Sequence, residues 1–419
     1  MNNMKENREI KSTRWNFDYI AHGRKLRRNR RRSGVALLVA ITTLAMLTVI
    51  VSEVSYVSRM RFLTAYHQKD RVQAYWLAKS GTNIYALILA ANKQLGKNSM
   101  IQQFGLGDSL WQMVPVINTG LMRMLFASQP GNDLSEEDVE SFKQEGRVSE
   151  DVMEQSREGG IFNDRNFLDF NGDFSAEVQD TESKIDISQM ANENGTLQES
   201  PTAQRLFALM GGEENDEWFM ERNIDRWEVI GNLKDWVDVD NLRSGGLGGD
   251  EDGLYNRLDD PYLTKNAKFD TLEEIRLVSG WNGELFEKYK EQLTIWSNGK
   301  FNLNSFDDEM HKAMIRAAAL TPPTDAMLDM CLNDTGDSSM GVLSMWDVTT
   351  FNNANQYATF ILTNCGIELD KSKLTNITKS SQVFRVSSTG MVGDSSVTIT
   401  SIFDYSRRST GEVKYIRIE

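Results

Sequence analysis

The sequence predicts an α+β protein in which a long amino-terminal helix packs on an antiparallel sheet and a large helical segment interrupts that sheet. Three observations carry this expectation. A helical pattern runs without proline from residue 35 to 95; strand-like alternation occurs near 174–187 and again only after 383; the stretch between, roughly 190–375, is mostly helical in pattern. At 419 residues the chain is too long for one small domain. With 40% hydrophobic and 25% charged residues it has the composition of a folding chain. Six prolines exclude a proline-rich linker protein, and two cysteines exclude a disulfide-dense scaffold. Three histidines leave little room for a histidine-built metal or catalytic centre. A net charge of −14 speaks against a general nucleic-acid binder.

The charge is unevenly placed. Residues 1–34 hold eleven Lys or Arg and three acids, a local charge of +8, and seven of the basic residues lie between Arg24 and Arg32. Val35 to Val51 follow without a charge. At about 1.5 Å per residue this run covers roughly 25 Å, a marginal span of a hydrocarbon core of about 30 Å. The basic block is expected to stay in the cytoplasm and direct the rest across the membrane. A cleaved signal peptide fits poorly, because the run ends in Val51-Ser52-Glu53-Val54-Ser55 and the leader is long. A plain single-span anchor and a processed precursor both remain. The second rests on Gly34, between the basic block and the apolar run. That junction, Arg32-Ser33-Gly34 before Val35-Ala36-Leu37-Leu38-Val39, resembles the processing site of prepilin-like proteins, with Val35 as the new terminus. Most pilins carry Glu at the fifth mature position, where this chain has Val39. In that group the K-type minor pseudopilin of type II secretion generally dispenses with the glutamate.

Beyond the membrane the helix is expected to continue. From Ser52 to Leu95 there is one glycine, Gly81, and Val54, Val57, Val72, Trp76, Ile84 and Ile88 fall at three- and four-residue spacings. Residues 35–95 then form a rod of about 90 Å. Its first half suits the membrane and its second half suits packing on a head domain. Residues 96–160 are glycine-punctuated, then acidic, and read as a variable connection with short helices. The first part of the sheet is placed at 161–190, through Phe174-Ser-Ala-Glu-Val-Gln-Asp and Lys184-Ile185-Asp186-Ile187. The insertion is placed at 191–375 and the closing strands at 376–419.

Asp235 to Asp260 is the most informative stretch, with eight acids, two arginines and five glycines in 26 residues. Carboxylates on a glycine-rich loop are the hard oxygen ligands that calcium takes, whereas magnesium demands stricter octahedral geometry. A solvated acidic loop is the other reading, and composition alone does not choose. An EF-hand is excluded: with Asp238 as position one, positions five, six and twelve are Leu242, Arg243 and Gly249.

The motifs in and after this loop are specific. Asp235-Trp-Val-Asp-Val-Asp240 and then Gly249-Asp-Glu-Asp-Gly-Leu-Tyr255 resemble the signature loop of K-type pseudopilins (general secretion pathway protein K). Asp260-Pro261-Tyr262, the segment Thr271–Gly280, Lys300-Phe-Asn-Leu-Asn-Ser305 and Phe384-Arg-Val-Ser-Ser-Thr-Gly390 are similar to further segments of that family, in order. Residues 96–160 and 320–375 match poorly. The resemblance implies a type IV pilin-like fold and calcium in the loop, carried onto Asp238, Asp240, Glu251 and Asp252, with Asp260 a weaker candidate. Asp235 is expected instead to cap or brace the neighbouring helix.

The family also implies cleavage by a prepilin peptidase between Gly34 and Val35, and N-methylation of Val35. It implies assembly with I- and J-type minor pseudopilins, the major pseudopilin and an inner-membrane platform, with the head in the periplasm. The function so implied is that of a tip subunit that starts the pseudopilus for export across the outer membrane. The alternatives are a membrane-anchored calcium-binding adhesive protein and a minor tip subunit of a type IV pilus.

Cys331 and Cys365 lie in the part placed outside the cytoplasm, where a disulfide is allowed; two buried thiols are the alternative. Helices around Gly280-Trp-Asn-Gly283 resemble a helix-hairpin-helix, yet Glu273, Glu274, Glu284 and Glu287 would repel phosphates, so no nucleic acid is expected. No phosphate loop and no Gly-x-Ser-x-Gly elbow occurs in the chain, and an enzyme is not expected.

Overall fold

The computed structural model describes residues 33–95, 110–122, 171–193, 195–244, 248–281, 283–305, 307–332 and 350–419. The chain divides into two units, Met1–Tyr66 and His67–Glu419. Most of the basic leader, residues 1–32, lies outside the described residues.

The first unit is helical where it is described. Helix α1 spans Ser33–Leu95, and its early part is long and apolar enough to cross a membrane, with none of the apolar window buried against protein. Val35, Leu37, Leu44, Leu47 and Ile50 are all exposed. Apolar side chains distributed all round a helix are what a lipid environment selects.

In the second unit the later part of α1 is amphipathic. Ala74, Ala78, Gly81, Tyr85 and Leu89 form one buried stripe at spacings of three and four. That stripe lies against a five-stranded sheet. The strands, in chain order, are β1 (Val116–Asn118), β2 (Asp173–Asp180), β3 (Ile185–Asp186), β4 (Leu293–Thr294), β5 (Phe301–Asn302), β6 (Ile377–Thr378), β7 (Val383–Val392), β8 (Ser395–Asp404) and β9 (Glu412–Ile418). The sheet has the order β1-β2-β7-β8-β9, and every pairing in it is antiparallel. Phe174 and Ala176 of β2, Phe384 and Val386 of β7, and Val397, Ile399 and Phe403 of β8 meet the helix in one core. The two-residue alternation of these strands is thus a helix-facing set.

Two glycines allow the close approach. A Cβ on Gly81 would strike Ser388 Oγ and Phe174, and one on Gly390 would strike the backbone of Ala74 and Ala78. Hydrogen bonds fix the same contact: Tyr405 donates its hydroxyl to Ala86 O at 2.9 Å, and Gln73 Nε2 donates to Asn171 O at 2.7 Å. Between β7 and β8 the chain turns through Gly393 and Asp394, with Gly393 at φ +56° as a two-residue hairpin loop requires.

The insertion leaves the sheet after Asp180 and returns at Val383. Its helices are α3 (Pro201–Leu209), α4 (Glu213–Glu221), α5 (Arg226–Val237), α6 (Gly283–Tyr289), α7 (Asp308–Ala318), α8 (Asp325–Leu332) and α9 (Ala354–Cys365); α2 (Leu110–Met113) precedes β1. They enclose a second core that includes Leu206, Ile230, Leu233, Trp281, Phe286 and Ile315. Trp281 is fully buried and donates its indole N–H to Val229 O at 2.9 Å, which satisfies its one polar atom.

Two expectations change. The alternation at Lys184–Ile187 does not extend the main sheet: β3 pairs in parallel with β4 inside the insertion, and Ile187 begins a 3-10 turn. Asp186 caps that turn by accepting from Ser188 N at 3.0 Å. An alternation of four residues states that one face is buried, not which sheet buries it. The segment read as a variable connection with short helices supplies β1, an edge strand too short for a period to show. Segment 272–277 forms a 3-10 turn, with Asp270 N donating to Glu274 Oε2 at 2.9 Å.

Candidate metal centre

Helix α5 begins at its cap Asp225, whose carboxylate accepts from Trp227 N at 2.8 Å and Glu228 N at 3.3 Å. The helix ends at Asp238, and the chain then reverses in a loop. Leu242 and Asp250 form an isolated antiparallel bridge. Arg243 N donates to Gly249 O at 3.2 Å, and Glu251 N donates to Asn241 O at 3.4 Å. Gly249, at φ +116°, lets the returning strand lie back on the outgoing one. This reversal brings Glu251 to Asp238 and Asp240 across more than ten residues of sequence.

Carboxylate oxygens of Asp238, Asp240 and Glu251 all lie within 4.8 Å of one another. Glu251 is 1% exposed, and neither of its carboxylate oxygens has a hydrogen-bond partner. Asp238 Oδ1 and Asp235 Oδ2 are likewise buried and unpartnered. Burial and then repulsion from Asp235, Asp238, Asp240 and Asp252 push Glu251 up to about 8. Burial and the neighbouring Asp240 and Asp235 push Asp238 up to about 6. No cation pairs directly with these carboxylates among the described residues: Lys234 Nζ donates to Gly195 O, Lys265 pairs with Asp270 and Glu274, and Arg243 pairs with Glu228.

Buried carboxylate oxygens that converge without a donor are costly unless a positive charge sits among them. The donor set is all hard oxygen on a loop that is not octahedrally constrained, which suits calcium better than magnesium or a transition metal. The residues therefore fit the ion that the resemblance implied.

The structure sorts the expected ligands. Asp238, Asp240 and Glu251 come together. Asp252 Oδ1 is taken by Thr264, whose N and Oγ1 donate at 3.0 and 2.8 Å, so Asp252 braces the following segment. Asp260 lies outside the three-carboxylate group and is exposed. Asp235, expected to cap or brace the neighbouring helix, accepts instead from Ser244 N of the loop at 2.7 Å. Its other oxygen is buried without a partner, which the sequence reading did not foresee. The only signal for it was its place one helical turn before Asp238.

Aromatic residues hold this loop on the insertion core. Trp236 stands edge-on to Tyr255 at 5.5 Å, and Tyr255 lies 5.1 Å from Tyr262. Trp236 Nε1 donates to Glu274 Oε1 at 3.0 Å, and the Tyr262 hydroxyl to Leu277 O at 2.7 Å. These are the aromatic members of the loop motifs, and their role is packing.

Elsewhere, Gly34 and Val35 lie in the opening of α1, with Val35 66% exposed. Cys331 of α8 and Cys365 of α9 are joined by a disulfide, with Cα atoms 4.9 Å apart. The expected chemical result is that unreduced, denatured protein takes up no thiol alkylating reagent and takes up two equivalents after reduction; uptake before reduction would count against the bond. His311 is buried among Ser305 and Tyr357, with Nε2 2.9 Å from Ser305 O and Nδ1 3.1 Å from the Tyr357 hydroxyl, a packing position in the insertion core.

A membrane-length helix that continues onto an antiparallel sheet defines the class: a pilin-like architecture, here with a helical insertion carrying an acidic loop. Residues 183–298 match the family described as type II secretion system (T2SS), protein K, first domain. The match covers the loop and its aromatic supports. The chain is 28% identical over 121 residues to type II secretion system protein K of Pectobacterium carotovorum subsp. carotovorum. That alignment covers 28% of this chain and 34% of the relative, so the chain spans about a third of the length of the curated relative it matches. Among solved structures, the crystal structure of the GspK-GspI-GspJ complex from the type 2 secretion system of enterotoxigenic Escherichia coli is similar at 16% identity and a TM-score of 0.40. It covers 77% of this chain and 99% of the compared one.

Proposed function

We propose that the protein is a minor pseudopilin at the tip of a type II secretion pseudopilus, where it starts assembly of the fibre that serves protein export across the outer membrane. The observation that carries this reading is the protein K domain at 183–298 in a chain whose apolar α1 leads into a pilin-like sheet. On this reading a prepilin peptidase cuts between Gly34 and Val35, and Val35 is N-methylated. The partners are the I- and J-type minor pseudopilins, the major pseudopilin and the inner-membrane assembly platform. The chain crosses the inner membrane once, with residues 1–34 cytoplasmic and the head periplasmic. Val39 in place of glutamate suits a tip position, because no subunit above it offers a terminal amine to pair with. The role is structural, with no reaction catalysed.

Calcium would be held by Asp238, Asp240 and Glu251, with Asp235 beside them. When bound it supplies the positive charge that the buried carboxylates lack and ties the two arms of the loop together. Terminal sequencing of protein extracted from membranes tests the proposal: the mature chain is expected to begin with N-methylated Val35. A mature chain beginning at Met1 would instead favour a plain membrane-anchored protein.

A further inference from the structure

The two strands of chain that join the insertion to the sheet cross at a buried pair of carboxylates. Asp180, the last residue of β2, is 6% exposed, and Glu182, the second residue of the outgoing connection, is 1% exposed. Most polar contacts at this crossing stitch the outgoing chain to the returning chain or to β5. Asp180 Oδ2 accepts from Ser381 Oγ and, at 3.0 Å, from Asn302 Nδ2; its Oδ1 accepts from Glu182 N at 2.8 Å. Glu182 Oε2 accepts from Gln382 N at 2.6 Å, and Glu182 O accepts from Asn302 N at 2.8 Å. Thr181 donates through N and Oγ1 to Val383 O, at 3.3 and 2.9 Å. Gln382 O in turn accepts from Tyr405 N at 2.7 Å, which ties the crossing to the end of β8.

No cation makes an ion pair with either acid among the described residues. The charged and titratable groups around them are Lys184 and Arg385, Lys300 before β5, Asp307 before α7, and Glu291 before β4. Lys184 Nζ is 4.0 Å from Glu291 and acts on Asp180 only at a distance, as Lys300 does on Glu182; Arg385 acts on Lys184. Two neighbouring carboxylates, buried together and supplied only with neutral donors, do not both ionise without cost.

We propose that this crossing is a proton-sensitive latch: one proton held by the Asp180–Glu182 pair keeps the insertion fastened to the sheet, and its loss loosens the attachment. Burial first, and Asp180 after it, push Glu182 up to about 7 from an ordinary 4.5; burial raises Asp180 as well. The sign follows from proton counts. Between 4.5 and about 7 the closed crossing holds a proton that the opened one releases, so closure weakens as pH rises through this window and levels off above it. With Glu182 neutral, Asp180 still accepts its three hydrogen bonds, and a single buried charge remains. With both ionised, the charges repel across the very contacts that hold the strands together.

Residue-resolved hydrogen exchange on the full-length protein in detergent, corrected for the intrinsic pH dependence of exchange, tests the latch. It is run with calcium held constant. Protection of the Thr181, Asn302 and Gln382 amides is expected to fall by up to ~10-fold per pH unit between pH 5 and 7, while Thr398 in β8 holds steady. Glu182→Gln is expected to keep the protection and remove its pH dependence, and Asp180→Asn to do the same to a lesser degree. A flat wild-type profile overturns the latch whether or not either variant folds. An unchanged slope in Glu182→Gln overturns it too.

Discussion

Gly390→Val is expected to cost more than about 3 kcal/mol, at the upper end of what overpacking does. The reason lies in what the added Cβ meets. It would overlap the Ala74 carbonyl oxygen and stand 2.7 Å from Ala78 N, both backbone atoms of α1. A side chain in the way can change rotamer; a helix backbone cannot yield without the whole of α1 lifting off the sheet. Lifting would expose Phe174, Phe384, Val386 and Ile399, which together with the helix form this core. A denaturant transition on the detergent-solubilised chain measures the loss, and Gly253→Ala supplies the control. Gly253 has nothing within 4 Å of its missing Cβ and an ordinary backbone, so its stability change is expected within about 0.5 kcal/mol. Equal transitions for both variants would mean that Gly390 does not set the approach of helix to sheet.

Calcium is expected to produce the second large effect. An ion at a thousand times its dissociation constant stabilises the folded form by about 4 kcal/mol. The loop from Asp238 to Leu254 is expected to resist proteolysis in calcium and to be cut in chelator; equal digestion in both sinks the idea. Glu251→Gln gives the sharper result, because its effect changes sign. Without calcium Glu251 must either take up a proton or ionise beside Asp235, Asp238 and Asp240; the substitution removes that cost and should stabilise the chain. With calcium it removes a ligand and should abolish most of the calcium-dependent gain. Destabilisation of the same size in both conditions would assign Glu251 a packing role and no more.

Both results depend on features of different visibility in the sequence. The acidic loop is plain in the composition of residues 235–260, and its aromatic and acidic spacing already resembles a family. What spacing does not give is which oxygens converge. Asp252 sits beside Glu251 in sequence yet points to Thr264, while Asp235, read as a brace, braces Ser244 with one oxygen and leaves the other buried among the acids. A 3-10 turn at Glu251–Leu254 separates neighbours that an extended chain would also separate, but in another direction. Direction is a property of the folded loop.

The strands teach the same lesson. In β7 and β8 ten residues of alternation leave one register that buries Phe384, Val386, Val397 and Ile399 together, so sequence reading places them correctly. At Lys184–Ile187 the alternation is equally clean, but the short run is compatible with either core, and β4 claims it for the insertion. The crossing itself was invisible: Asp180 and Glu182 look like ordinary surface acids until Asn302, Ser381 and Gln382 arrive from the far end of the insertion.

The sequence by itself determined the membrane-length helix, the basic block that precedes it, the division into sheet and insertion, and the existence of an acidic loop. Each of these is written in local composition and period, which act over a few turns of chain. Only the tertiary structure decided which carboxylates meet, which core takes the 184–187 segment, and that two buried acids bind the insertion to the sheet. Those outcomes depend on contacts between residues up to about two hundred positions apart, and local pattern carries no information about which distant partner will be there.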